Sequence, residues 1–216
     1  MKKKKIVLTG GPSGGKTTAL SILKETFGNK IALVQEAATL IYSGGFPRKD
    51  NSPLHIEHAQ NIIFYTVHQL EHLAEATSDA DLIICDRGSI DGAVYWPKGP
   101  EDFFKAMHTT LEAELARYDA VLPLSPPPEK DFYQATNVRT ENLQQAFEID
   151  DKILKIWEKH PNRLVVPREK HYFEKAEIIK NFVEKLLSKK SEGVIYLCGI
   201  RLRKKKKPPR RKRPVK

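Results

Sequence analysis

Lys16 and Thr17 close the octet Gly10-Gly11-Pro12-Ser13-Gly14-Gly15-Lys16-Thr17, which fits the phosphate-binding pattern G-x-x-x-x-G-K-[ST]. Each residue type has a chemical reason to be there. The glycines let the backbone curl until its N–H groups face phosphate oxygens, and the following helix turns its positive N-terminus toward the same anion. Lys16 then reaches the β- and γ-phosphates of a nucleotide. Thr17 offers a hydroxyl to Mg2+, an ion that keeps most of its waters and needs few protein ligands. Thr18 adjoins the same cradle with less weight. The other metal candidate is Asp86, which ends the apolar run Leu82-Ile83-Ile84-Cys85. Ligands of open α/β sheets gather at strand carboxyl ends, so this carboxylate is placed to hold Mg2+ directly or through water. The alternative is an acid that merely ends a strand and caps the next turn.

Such groups need a sheet to hold them together. Lys5 to Thr9 reads as a buried first strand and residues 16 to 27 as the helix it feeds, stopping near Gly28 and Asn29. Ile31 to Gln35 is a second strand, closed by Glu36 and followed by a short helical pattern. Residues 44 to 53 have loop composition and include Arg48 and Lys49. Ile56, Ala59, Ile63, Val67, Leu70 and Leu73 mark one long helix from Leu54 to about Thr77. The run ending at Asp86 is continuous and apolar, as expected of a central parallel strand covered on both faces. Residues 101 to 117 predict a helix, Ala120 to Leu124 a fourth strand, and Arg139 to about His160 a long helix. Arg163 to Val166 predicts a fifth strand and Tyr172 to Leu187 a last helix. Five strands alternating with helices imply a parallel sheet with right-handed crossovers.

The length of 216 residues suits one α/β domain, over 1–190, with a basic and disordered tail over 191–216. No stretch approaches the ~20 apolar residues that span a bilayer, so no transmembrane segment is expected. The lysines at 2 to 5 resemble the start of an export signal. The phosphate loop follows too soon for one, and two cysteines, Cys85 and Cys198, suit a reducing, cytoplasmic compartment. The net charge is +10, yet residues 201 to 216 hold eleven Lys and Arg and no acid, leaving the first 200 residues at −1. Basicity therefore belongs to the tail. It predicts weak, salt-sensitive binding of nucleic acid or an acidic membrane surface, or a nuclear address in a eukaryotic host; the plain alternative is a passive solvated tail.

Two further groups carry less. His55/His58 and His68/His72 have spacings that can place two metal ligands on one helical face, but neither pair forms H-E-x-x-H, and solvated or core-edge histidines are expected. Glu148-Ile149-Asp150-Asp151 reads as a solvated helix face. No N-K-x-D element for guanine is visible, which favours ATP and leaves GTP open.

Four features in order carry a family resemblance. They are the octet Gly10–Thr17, Glu36 closing the second strand, Asp86-Arg87-Gly88 closing the third, and Arg139-Thr140-Glu141 opening the late helix. Over about residues 4 to 187 the chain resembles the AAA-type P-loop ATPase domains shared by bacterial nicotinamide-riboside kinases and a fly protein required for translocation of a TRP-like channel. The resemblance implies a three-layer, kinase-like P-loop fold with strand order 2-3-1-4-5, a mobile lid around Arg139, and nucleotide binding. By similarity, Arg87 and Arg139 neutralise phosphate charge in the transition state, with surface ion pairing as the alternative for each. Several nucleoside kinases end the second strand with an acid. Glu36 would then orient an acceptor hydroxyl and take its proton, unless it serves only as the N-cap of the short helix at Ala37. The expected activity is γ-phosphate transfer to an unidentified small, nucleoside-like hydroxyl; a nucleotide-dependent switch acting on a protein partner is the alternative.

Overall fold

The computed structural model describes residues 3–48, 52–126, 143–166, 168–188, 196–197 and 200–201. Its frame is a four-stranded parallel sheet in the order β2-β3-β1-β4, with β1 at Lys4–Thr9, β2 at Ile31–Val34, β3 at Leu82–Asp86 and β4 at Ala120–Pro123. Alternate residues of the strands feed two separate cores. Ile6, Leu8, Leu82, Ile84, Ala120 and Leu122 bury against α1 (Lys16–Phe27) and α7 (Tyr172–Ser188). Val7, Ile83, Cys85 and Val121 bury on the other face against α3 (Pro53–Thr77), α4 (Pro100–Ala106) and α6 (Leu143–Ile156). Strands sheathed on both faces read as continuous apolar runs, which is why no polar–apolar alternation shows in the sequence. Helix α2 (Ala37–Ser43) packs on α3, and α5 (Leu111–Leu115) precedes β4.

The expected fifth strand at Arg163–Val166 does not form as a ladder. Among the described residues the segment touches β4 only through two parallel bridges, Val121 with Arg163 and Leu124 with Val166. Leu164 N–H donates to Val121 O at 3.0 Å and Val166 N–H to Pro123 O at 3.1 Å. The rung between them would need an N–H from residue 123. Proline has none, so the edge is left with two separated bridges and the sheet counts four strands. The single helix expected over 101 to 117 is two. His108 turns into the left-handed region at φ 53, and Thr110 caps a new start by accepting from Ala113 N–H at 3.1 Å. Two-residue strands β5 (Tyr196–Leu197) and β6 (Ile200–Arg201) pair antiparallel.

Register sets the site. β1 pairs with β3 so that Leu8 lies beside Asp86, and Arg87 N–H donates to Leu8 O at 2.9 Å. The end of β3 is thereby held next to the start of the phosphate loop.

Candidate functional site

The loop from Gly10 to Gly15 leaves β1 and enters α1 under tight constraint. A Cβ on Gly10 would fall 2.2 Å from Leu124 O, and one on Gly14 would fall 2.1 Å from the same atom. The loop rests on the carbonyl end of β4, and only glycine fits at either place. Gly10 also has φ 121, and Gly15 has φ 88 where it starts the helix. Ser13 is left-handed at φ 61, buried, and beside the buried Pro12 and Gly14. Non-glycine residues take that conformation at a cost that a rigid surround must offset.

Lys16 is buried, with its ammonium donating to Gly10 O at 3.0 Å and Gly11 O at 2.9 Å. Burial, with Arg87 nearby, draws it down to about 8 despite Asp86, Glu36 and Asp91. Thr17 and Thr18 lie on the exposed side of the first turn of α1. Asp86 ends β3 with its Oδ1 buried and without a hydrogen-bond partner. Burial pushes this carboxyl up, Lys16 pulls it down, and Glu36 adds to the rise. An orphaned carboxylate oxygen beside the loop's lysine fits a divalent cation, since a buried acceptor left unmade is costly and hard oxygen ligands suit Mg2+.

Glu36 stands at the N-cap position of α2 but makes no side-chain bond to the backbone there. Its carboxylate accepts instead from Arg87 Nε and from the Thr39 hydroxyl. Burial alone would raise it; Arg87, Thr39 and Lys16 overcome that and hold it at about 2. Arg87 is itself left-handed at φ 71, which swings its guanidinium back over the loop, where Nη1 donates to Gly10 O at 3.2 Å. Burial works against its charge, but Glu36, Tyr95 and Asp91 more than compensate and raise it above the ordinary arginine value. Glu36, Asp86, Arg87 and Lys16 thus converge at the carboxyl ends of β1 to β3. Arg139, with Thr140 and Glu141, lies outside the described residues.

Two acids absent from the sequence-level candidates hold this cluster. Asp91 is buried, accepts from Thr9 Oγ1 and from Trp157 Nε1, each at 2.6 Å, and lies 3.7 Å from Arg87 Nη1. Asp150, expected on a solvated face, has no exposure at all. Its Oδ1 accepts from Gly11 N–H at 2.8 Å and its Oδ2 from Arg168 Nη2 at 3.0 Å. The buried Lys175 donates to Ser125 O at 2.6 Å beside it. A signal for Asp150 exists: it falls in the i, i+4, i+7, i+11 register of the fully buried Ala146, Ile153 and Trp157. No group of three His, Cys, Asp or Glu able to hold an ion occurs among the described residues. His68 lies instead between Glu114 and Arg117.

A glycine-tight loop between a central parallel strand and a helix, with a buried lysine inside it and a carboxylate at the end of the neighbouring strand, defines a P-loop domain of α/β architecture. The chain belongs to the AAA domain family, whose pattern matches residues 5–175. Membership implies nucleotide binding, typically with Mg2+. No curated protein matches the sequence significantly. No helix among the described residues is long and apolar enough to cross a membrane.

Proposed function

We propose that this chain is a phosphotransferase that moves the γ-phosphate of ATP to a small hydroxyl-bearing acceptor of nucleoside-like size. The observation that supports this reading is the Glu36–Arg87 pair, set across from Lys16 at the mouth of the loop. Lys16 would leave the Gly10 and Gly11 carbonyls for phosphate oxygens, and Arg87 would set its guanidinium against the charge that spreads over the transferring group. Asp86 and Thr17 would hold Mg2+, which would supply charge neutralisation for the phosphates. Held at about 2, Glu36 is ionised throughout the neutral range and makes a strong hydrogen-bond acceptor for an incoming hydroxyl. Phosphoryl transfer through a loose transition state asks for orientation more than for a strong base, so this role suits a weakly basic carboxylate. The likeness to nicotinamide-riboside kinases belongs to this reading, as does a share for Arg139 in charge neutralisation.

A nucleotide-dependent switch is the second reading, favoured by Asp150, which ties Gly11 of the loop to α6 and could carry a change at the phosphates into that helix. GTP is the alternative nucleotide in either case. Binding of polyanions by residues 201 to 216, most of which lie outside the described residues, is a separate property that salt-dependent binding of the full chain and of a chain ending at 200 would reveal.

The test is ADP release from Mg-ATP across a panel of hydroxyl-bearing metabolites, with the wild type and Glu36→Gln side by side. Stimulation by one compound class, mostly lost in Glu36→Gln with nucleotide affinity kept, supports the kinase. Release indifferent to every acceptor supports the switch.

A further inference from the structure

We infer that Asp91 is a positioning residue for Arg87, and that through Arg87 it makes the site prefer a nucleoside triphosphate to the diphosphate. This rests on the reading above in which Glu36 marks the end of the site that an acceptor approaches, where the γ-phosphate must lie. Arg87 Nε donates to Glu36 Oε1, so the guanidinium stands at that same end. A diphosphate has no group to offer it there, and a triphosphate does.

Asp91 is 3% exposed, and both of its oxygens act as acceptors. Oδ2 accepts from Thr9 Oγ1 and Oδ1 from Trp157 Nε1, each at 2.6 Å. Thr9 and Trp157 have no exposure, so the core fixes both donors. Gly88 fixes the indole further, since a Cβ there would fall 2.5 Å from the ring. Arg87 Nη1 lies 3.7 Å from Oδ2, beyond hydrogen-bond reach, and donates instead to Gly10 O at 3.2 Å. A carboxylate with nothing else to accept closes on an arginine in a two-bond fork and uses the donors that a phosphate would need. Thr9 and Trp157 hold Asp91 back from that fork, while its charge still draws the guanidinium toward Gly10. Glu36 is held back in the same way, because the Thr39 hydroxyl donates to its other oxygen. Two carboxylates thus orient Arg87, and neither closes it off.

Isothermal titration of the full chain with Mg-ATP and with Mg-ADP tests this, and the quantity read is the ratio of the two affinities. Arg87→Gln and Asp91→Asn should each cut the preference for Mg-ATP about tenfold, the loss expected for one hydrogen bond to a charged group, with Mg-ADP affinity kept. Because Asp91 acts through Arg87, the double variant should lose no more than either single one. An Asn at 91 can still accept from Trp157 and donate to Thr9 Oγ1, so the fold should hold. Where it does not, Thr9→Val, which lets Oδ2 close on Arg87, should give the same loss, and Thr9→Ser should match the wild type. A merely structural Asp91 would lower the melting temperature and both affinities together at an unchanged ratio, and that result overturns the inference. Losses that multiply in the double variant overturn it too. An Asp91→Asn chain that keeps the ratio beside an Arg87→Gln chain that loses it sinks the inference alone and leaves the proposed role of Arg87 standing. If Arg87→Gln keeps the ratio, or the wild type shows no preference, that role and the inference fail together.

Discussion

Two of the buried charge clusters among the described residues differ in how their charges are supplied. One is the site, with Lys16, Glu36, Asp86, Arg87 and Asp91. The other ties α3 to β1 and to the chain around α5. Glu71, with no exposure, accepts from Lys5 Nζ at 2.7 Å, from Arg117 Nη2, and from the Tyr118 hydroxyl at 2.6 Å. Glu114 accepts from Ser89 Oγ at 2.7 Å and Thr109 Oγ1 at 2.8 Å, and faces His68 Nε2 at 3.1 Å. Here Lys5, Arg117 and Glu114 gain from their surroundings, although Arg117 Nε is buried without a hydrogen bond. Lys5 and Arg117 are raised: burial opposes their charge, but Glu71 more than offsets it. Glu114 is held at about 2, burial being overcome by His68, Ser89 and Thr109. In the site the balance runs the other way for two members, with Lys16 lowered, Asp86 raised, and one carboxylate oxygen without a partner. Perturbed titration occurs in both clusters, so it is the direction of the shifts, and not their presence, that separates them.

The largest expected effect breaks the structural cluster. Glu71→Ala strands Lys5 and Arg117 in the interior and should cost ~3–5 kcal/mol, lowering the melting temperature by about 10 °C. Thermal unfolding with and without Mg-ATP should show the nucleotide-dependent increment intact. If that increment disappears too, the two clusters are not independent.

Lys16→Ala should do the reverse. Apo stability should hardly change, while the stabilisation by Mg-ATP, about 2.7 kcal/mol at a hundredfold excess over Kd, should vanish. An equal rise in both proteins would remove the phosphate-loop assignment.

The pH profile sharpens the contrast on both limbs. Lys16 at about 8 against an ordinary 10.5 means that the folded chain binds fewer protons than the unfolded chain between those values, so this group makes stability rise with pH across that window. The rise should be absent in Lys16→Ala. Glu36 and Glu114, at about 2 against 4.5, contribute stability that is present above 4.5 and lost as pH falls toward 2. Glu114→Gln should flatten part of that acid limb in a urea-unfolding series. An unchanged limb would shift the acid sensitivity to other carboxyls.

The smallest expected effect on stability comes from Asp86→Asn. The folded carboxyl is raised, so its ionised form opposes folding at neutral pH, and the amide should leave apo stability within ~1 kcal/mol of wild type, on the upper side. Mg2+ should then add nothing to the stabilisation by ATP. Retained dependence on Mg2+ would exclude Asp86 from the metal site.

The phosphate loop was legible because its constraints are local: glycine, lysine and threonine at fixed spacing between a strand and a helix. Glu36 and Asp86 were legible as strand ends, and Arg87 only through the family resemblance. What pairs with what was not. Glu36 sits at an N-cap position yet bonds a side chain 51 residues away, which only the β2–β3 register decides. Asp150 looked like a solvated helix charge because the charge was read before its place in the apolar register, where Ala146, Asp150, Ile153 and Trp157 share one buried face. The fifth strand failed on a single missing N–H at Pro123, in the neighbour and not in the segment itself.

The bond from Gly11 N–H to Asp150 joins residues 139 apart in sequence. It makes the most compact motif in the chain dependent on a residue about two thirds of the way along it. A ribosome that has released residues 1 to 30 has exposed the complete octet, but the surfaces that shape it, Leu124 O beneath and Asp150 beside, have yet to be synthesised. Long-range parallel pairing forms slowly for the same reason, since its loops must close before any contact compensates. Nascent chains halted before α6 should therefore carry the motif without the binding, and nucleotide would act late, on a nearly finished fold, rather than as a template for an early one.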